Sequence, residues 1–225
     1  MEKENPQLRA YFARAHFLKS APDPAHLPAD RGAEICFAGR SNAGKSSALN
    51  TLCAQKGLAR ASKRPGRTQL LNVFVLDESR RLIDLPGYGY AEAPKEIRQN
   101  WGVVMDDYFS HRQSLKLAVL MMDIRHPMRP FDEMLIEACA QRGLPVHILL
   151  TKSDKLSRGA AMGVLQKLGH ALPPGVSVQL FSSLSGQGVE EARTRLRGVL
   201  EEHGQVDTAT EETGVMDSSI APPAA

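Results

Sequence analysis

Gly39-Arg40-Ser41-Asn42-Ala43-Gly44-Lys45-Ser46 decides how the rest of the chain is read. The octapeptide fits G-x-x-x-x-G-K-[ST], a loop whose backbone N–H groups wrap phosphate oxygens. Gly39 and Gly44 supply backbone angles that a Cβ would obstruct, and they let the chain approach an anion closely. The donors converge in a nest at a helix N-terminus, where the macrodipole also favours negative charge. In that geometry Lys45 reaches the β- and γ-phosphates and the Ser46 hydroxyl ligates Mg²⁺, with Ser47 next along the helix. With glycine near 7% of residues, a chance match in a chain this long is about a 1% event.

The flanks suit the motif. Ala33-Glu34-Ile35-Cys36-Phe37-Ala38 before the loop is apolar and strand-like. Leu49, Leu52 and Cys53 after it recur at i, i+3 and i+4, as one face of a helix requires. A strand feeding a helix is the setting in which such a loop binds a triphosphate.

Working outward, the 225 residues suit one domain with attachments. The segment 1–30 is expected to be an extension packing on a nucleotide-binding domain over 31–203, and 204–225 to be an acidic, disordered tail. No apolar run reaches the length of a membrane span, and Met1-Glu2-Lys3-Glu4-Asn5 lacks a signal-peptide core. A cytoplasmic monomer with no membrane partner is therefore expected. The three cysteines Cys36, Cys53 and Cys139 cannot all pair and read as buried free thiols, without metal-binding spacing. The net charge of +3 hides an asymmetry: six acids and no lysine or arginine follow residue 200, leaving 28 basic against 19 acidic side chains before it. A basic body with a balance of +9 suits a polyanion such as RNA, or simply a solvated lysine-rich face.

Tyr11–Leu18 reads as a short element lying on the domain, and the prolines at 22, 24 and 28 as a link into the first strand. Residues 56–68 lack apolar periodicity and carry Lys56, Arg60, Lys63, Arg64 and Arg67, which predicts an exposed, mobile basic loop. Strands are expected at Gln69–Leu76, Arg80–Asp84, Leu115–Met122, Val146–Leu150 and Val176–Phe181. Helices are expected at Pro94–His111, Arg129–Arg142, Ser157–Leu168 and Val189–Glu202. This alternation predicts an α/β three-layer domain, a mostly parallel doubly wound sheet with one antiparallel strand and a ligand at its carboxyl edge.

The base is named by Thr151-Lys152-Ser153-Asp154, which directly follows a buried strand. A carboxylate there can accept two hydrogen bonds from guanine N1–H and N2–H₂, a donor pair adenine lacks. An unpaired buried carboxylate would reject the wrong base. The Lys152 stem can lie over the purine plane, and Thr151 can brace the phosphate loop. Asp84, at a strand end, suits holding Mg²⁺ through water, and the Gly87 N–H suits the γ-phosphate. Thr68, ending the basic loop, is the candidate to close on Mg²⁺ and the γ-phosphate. Ser182 and Ser183 follow the last strand, where a backbone N–H can meet guanine O6.

These elements give the chain a recognisable pattern. It resembles the translation-factor-related GTPases, and within them the bacterial EngB (YihA/YsxC) family of ribosome-biogenesis GTP-binding proteins. The resemblance rests on Phe17–Ala21, Gly39–Ser47, Pro65–Gln69, Asp84–Tyr90, Asp123–Pro127, Thr151–Asp154 and Phe181–Ser183, and spans about residues 11–203. It implies a GTP/GDP-binding protein that assists assembly of the large ribosomal subunit, touching ribosomal RNA in its GTP state.

In Ras-like GTPases a glutamine after D-x-x-G orients the attacking water. Tyr88 stands there, so slow intrinsic hydrolysis is expected. Asn42 resembles asparagines that hold K⁺ beside the phosphates in related GTPases; its other reading is a loop-forming residue that tolerates unusual φ. Tyr88, Tyr90 and Trp101 are candidates to stack on RNA bases, or to pack locally. Arg125–Arg129 reads either as a partner-contacting rim or as a solvated turn. A cell-division (septation) or signalling GTPase acting on protein partners is the alternative, and Asp154 argues against an ATP-dependent kinase.

Overall fold

The computed structural model describes residues 4–59, 70–88 and 95–204, with only the backbone for 95–101 and 103. Among these residues seven strands form one sheet: β1 (His16–Ala21), β2 (Ala33–Gly39), β3 (Leu71–Val75), β4 (Arg80–Asp84), β5 (Leu115–Asp123), β6 (Val146–Thr151) and β7 (Val176–Leu180). The helices are α1 (Pro6–Ala13), α2 (Lys45–Leu52), α3 (Lys95–His111), α4 (Pro130–Arg142), α5 (Arg158–Ala171) and α6 (Val189–His203). The strand order is β1-β3-β4-β2-β5-β6-β7. Parallel pairing runs from β4 through β2, β5 and β6 to β7, and β3 runs against both β4 and β1. The expected mostly parallel, doubly wound sheet with one antiparallel strand is what the chain forms.

Alternation along the central strands builds two cores. From β2, Ile35 and Phe37 face α1, α2 and α6, meeting Phe12, Leu49, Leu52 and Leu196. Cys36 and Ala38 face the other way, toward Tyr108 of α3, Ile136 of α4 and Leu168 of α5. Cys36, Cys53 and Cys139 are all buried free thiols, and burial pushes the Cys53 and Cys139 thiols up to about 12.

Local chemistry sets the element ends. Asn5 Oδ1 accepts from the Gln7 and Leu8 amides at 3.0 and 3.3 Å, with Pro6 opening α1. Asp77 Oδ1 accepts from the Ser79 and Arg80 amides at 3.1 and 3.0 Å, turning β3 into β4. Gly143 ends α4 in the left-handed region at φ +71°.

One expectation is corrected. Tyr11–Leu18 is not a single element: α1 ends at Ala13, and β1 then joins the sheet edge against β3. The sheet therefore has two antiparallel pairs where the sequence suggested one. β1 hides because its side chains are mostly exposed, so it leaves no alternating apolar pattern.

At the edge remote from the phosphate loop, buried Glu34 receives two arginines. Arg81 Nε donates to Oε1 at 2.8 Å, and Arg112 Nε and Nη2 donate to Oε2 and Oε1 at 3.0 and 2.6 Å. Arg112 also donates to Pro28 O at 2.7 Å and Arg81 to Ala29 O at 3.0 Å, fastening the linker that enters β2.

Candidate functional site

β2 lies between β4 and β5, and its two neighbours are reached through opposite faces of the sheet. That reversal opens a crevice beyond its carboxyl end, and residues 39–46 fill its mouth. Gly39 is required by packing, because a Cβ there would lie 2.8 Å from Met121 O on β5. Gly44 has φ +91° and Asn42 φ +63°, so the loop turns through two left-handed positions before α2 begins. Gly44, the residue that caps α2, offers no side-chain bond to its first amides. Those N–H groups, with Lys45, Ser46 and Ser47 in the first turn, present the donors an anion satisfies.

Neighbouring segments hold the loop. Thr151 Oγ1 donates to Ala43 O at 2.6 Å, and Lys152 Nζ donates to Asn42 O at 2.7 Å. The Ser41 amide donates to Tyr88 O at 2.9 Å and the Tyr88 amide to Gly39 O at 3.3 Å, while a Cβ on Gly87 would sit 3.4 Å from the Ser41 backbone. The D-x-x-G segment thus lies directly on the phosphate loop. Lys45 Nζ donates to Asp84 Oδ1, and both side chains are nearly buried.

The residues expected to read the base converge from two strand ends. Lys152 adopts φ +58°, and the turn that follows carries Asp154. Ser182 Oγ donates to Asp154 Oδ1 at 2.6 Å, and this bond holds the Asp154 carboxyl below its ordinary range. Ser182 Oγ also accepts from the Leu184 and Ser185 amides at 3.2 and 3.1 Å, while Ser183 is exposed beside it. The loop is tied to the turn again where the Ser153 amide donates to Phe181 O at 3.2 Å and its hydroxyl to Gln187 Oε1 at 2.7 Å.

The arrangement therefore gathers Gly39, Asn42, Ala43, Gly44, Lys45, Ser46, Ser47, Asp84, Gly87, Thr151, Lys152, Asp154, Ser182 and Ser183 at one sheet edge. Thr68 and Tyr90 lie outside the described residues, as do most of the basic loop, the tail beyond 204 and the Trp101 side chain.

Tyr88 takes the local-packing alternative: it is 3% exposed, donates its hydroxyl to Asp132 Oδ1 at 2.5 Å and tilts against Phe131 at 6.0 Å. Burial and the Asp132 carboxylate push its phenol far above the usual range, so it stays a proton donor. Arg125, at the start of the segment read as rim or solvated turn, is partly exposed and binds Asp123. The sequence reading gave Asp123 no role in the site. The available signal was an acid ending β5, one strand over from Thr151.

Residues 34–152 match the family model described as "50S ribosome-binding GTPase". A curated relative, "Probable GTP-binding protein EngB" of Salmonella paratyphi B, is 50% identical over 188 residues, covering 82% of this chain and 90% of its own. Its counterpart in Escherichia coli O139:H28 matches with the same identity and coverage. Among solved structures, a probable GTP-binding protein engB superposes with a TM-score of 0.62 at 24% identity, over 76% of this chain and all of the other. A bacterial selenocysteine-specific elongation factor, EF-Sec, superposes at 0.54 and 18% identity over 76% of this chain and 29% of the other, a likeness of fold alone.

Proposed function

The chain belongs to the EngB family of GTP-binding proteins and is a GTPase, and on that premise we propose that it is a nucleotide-gated factor in assembly of the large ribosomal subunit. The observation that carries this reading is the convergence of four segments on one sheet edge: the phosphate loop, Asp84–Gly87, Thr151–Asp154 and Ser182–Ser183. GTP binds with its phosphates on the Gly39–Ser47 amides and Lys45, and its guanine reads Asp154 while lying against the Lys152 stem. Ser46 and Thr68 would hold Mg²⁺, with Asp84 reaching it through water. A hydroxyl and a nearly buried carboxylate beside the loop form an oxygen donor set that fits this hard cation. The ion, when bound, neutralises charge developing on the β- and γ-phosphates.

Hydrolysis is intrinsically slow in this reading, because Tyr88, in the place of a water-orienting glutamine, turns its hydroxyl to Asp132. Asn42, whose left-handed φ exposes its side chain beside the loop, is the candidate K⁺ ligand. Equal turnover in KCl and NaCl would remove that role. Residues 31–203 act as the GTP-binding domain, 1–30 as its packed extension and 204–225 as an acidic tail. The protein works as a cytoplasmic monomer, and among the described residues no helix is long and apolar enough to cross a membrane.

The partner is a precursor of the large ribosomal subunit and its RNA, suited by the basic body of residues 1–200. Gain or loss of the γ-phosphate orders or releases the loops bearing Thr68 and Gly87, changing the surface offered to RNA. Co-sedimentation with ribosomal particles tests this. Binding is expected with a non-hydrolysable GTP analogue and lost with GDP, with Lys45→Ala and with Asp154→Asn. Nucleotide-independent sedimentation would overturn the gating, and no sedimentation in any state would favour a cell-division or signalling role with protein partners.

A further inference from the structure

Asp123 closes β5 at the carboxyl edge of the sheet, in register with Thr151 of β6. Two cations share its carboxylate. Oδ2 lies 3.0 Å from Lys152 Nζ. Arg125 donates from Nε to Oδ1 at 2.9 Å, from Nη2 to Oδ2 at 2.6 Å, and from its amide to Oδ1 at 3.1 Å. Arg125 above all, with Lys152 adding to it and burial opposing both, holds the carboxyl far below its ordinary range, and it stays an anion.

Lys152 is the other half of the arrangement. Its ammonium touches Asp123 and also donates to Asn42 O at 2.7 Å, so one –NH₃⁺ joins the end of β5 to the phosphate loop. The side chain is one-third exposed, and its long stem has many rotamers. Fixing the ammonium at the far end removes most of that freedom before a ligand arrives, and a preorganised stem loses less entropy on binding. The space between the loop and the end of β5 is small, a cleft of about 210 Å³ lined by Asn42, Asp123, Arg125 and Lys152 among others, so the bracket is local.

We propose that Asp123 is a positioning residue for nucleotide binding: it anchors the Lys152 ammonium so that the lysine stem is set flat for the purine and the Asn42 carbonyl is held in place. The role rests on the placement of guanine against Lys152 given above. Arg125, whose side chain is 44% exposed, is the carboxylate's outer partner, and the Lys152–Asp123 contact is expected to persist without it.

The test uses fluorescent GDP titrations and steady-state GTP turnover on the full chain carrying Asp123→Asn, Lys152→Met, both, or Arg125→Gln. Asp123→Asn is expected to raise the Kd for GDP and the KM for GTP about tenfold while kcat stays within about twofold, because the lysine acts on binding and not on the γ-phosphate. The double variant should bind no more weakly than Lys152→Met alone. Additive losses, unchanged affinity in Asp123→Asn, or a fall in kcat at constant KM would overturn the proposal. Should Asp123→Asn fail to fold, Arg125→Gln decides: a change within about twofold is expected, and a tenfold loss would mean the carboxylate acts through Arg125. If Lys152→Met leaves GDP affinity unchanged, the base placement itself falls; if it weakens binding and Asp123→Asn does not, only the positioning role falls.

Discussion

Lys45 and Asp84 neutralise each other at the mouth of the crevice, with side chains 12% and 7% exposed. A phosphate that takes Lys45 must draw it from this carboxylate, and in the proposed reading the carboxylate released would be free to reach a hydrated Mg²⁺. Removing one partner of such a pair leaves a poorly solvated charge, at a cost of about 3 kcal/mol.

Asp84→Asn should therefore lower the Tm of the nucleotide-free protein, and GDP should restore much of the loss because phosphate oxygens replace the missing anion. In EDTA the variant should bind GDP at least as tightly as the wild type. Weaker binding there would show that the ion pair does not compete with nucleotide. Thermal shift and fluorescent GDP titration read both outcomes.

Tyr88→Phe removes the donor to Asp132, which is 2% exposed and otherwise accepts from the Arg129 amide at 2.9 Å. The expected loss is about 1–2 kcal/mol of stability. Basal GTP turnover should change less than about twofold, since the hydroxyl is turned to Asp132 and the ring tilts against Phe131. A large fall in basal turnover with unchanged Tm would assign the hydroxyl a chemical role.

Asp154→Asn keeps an acceptor for Ser182 but replaces one anionic oxygen with an NH₂ group facing the guanine donors. GDP affinity should fall by about a hundredfold while ADP affinity barely moves, measured by competition against a fluorescent guanine nucleotide. Undiminished guanine preference would refute the base assignment.

His147 predicts acid sensitivity. It is 2% exposed and lies 2.8 Å from both Ser177 Oγ and Gln179 Oε1; burial, with Arg195 adding a smaller effect, lowers its pKa to about 4. Between that value and the unfolded value near 6.5 the unfolded chain binds more protons. This contribution is then complete above about pH 6.5 and is lost as pH falls toward and through 4, amounting to roughly 3 kcal/mol. His147→Gln should flatten the fall in Tm between pH 6.5 and 4.5 relative to the wild type.

Much of this molecule is legible in its sequence where the signal is local. Gly39–Ser46 named its own strand, loop and helix, and α3 was expected at Pro94–His111 and spans Lys95–His111. Asp84 and Thr151–Asp154 were legible because strand-end residues of a parallel sheet share one edge. What escaped depends on distant partners. Tyr88 sits in a glycine-rich segment that leaves its partner open, and its acceptor is 44 residues away on α4. Asp123 gains meaning only when Lys152 is seen beside it. β1 escaped because an edge strand with one solvated face and no apolar alternation looks like a polar linker.

That edge strand has a consequence for how the molecule behaves in a crowd. Phe17 pairs with Phe74 and Lys19 with Val73, so Leu18 is an extra residue that kinks the outermost strand. Phe17 and Leu18 are 54% and 49% exposed there, a pair of greasy side chains on an open border. A straight border of that composition would invite a foreign strand to dock. The kink breaks the run of evenly spaced backbone groups such docking needs, and Lys19 sets a charge beside it. The irregularity thus guards each copy against zipping onto its neighbours.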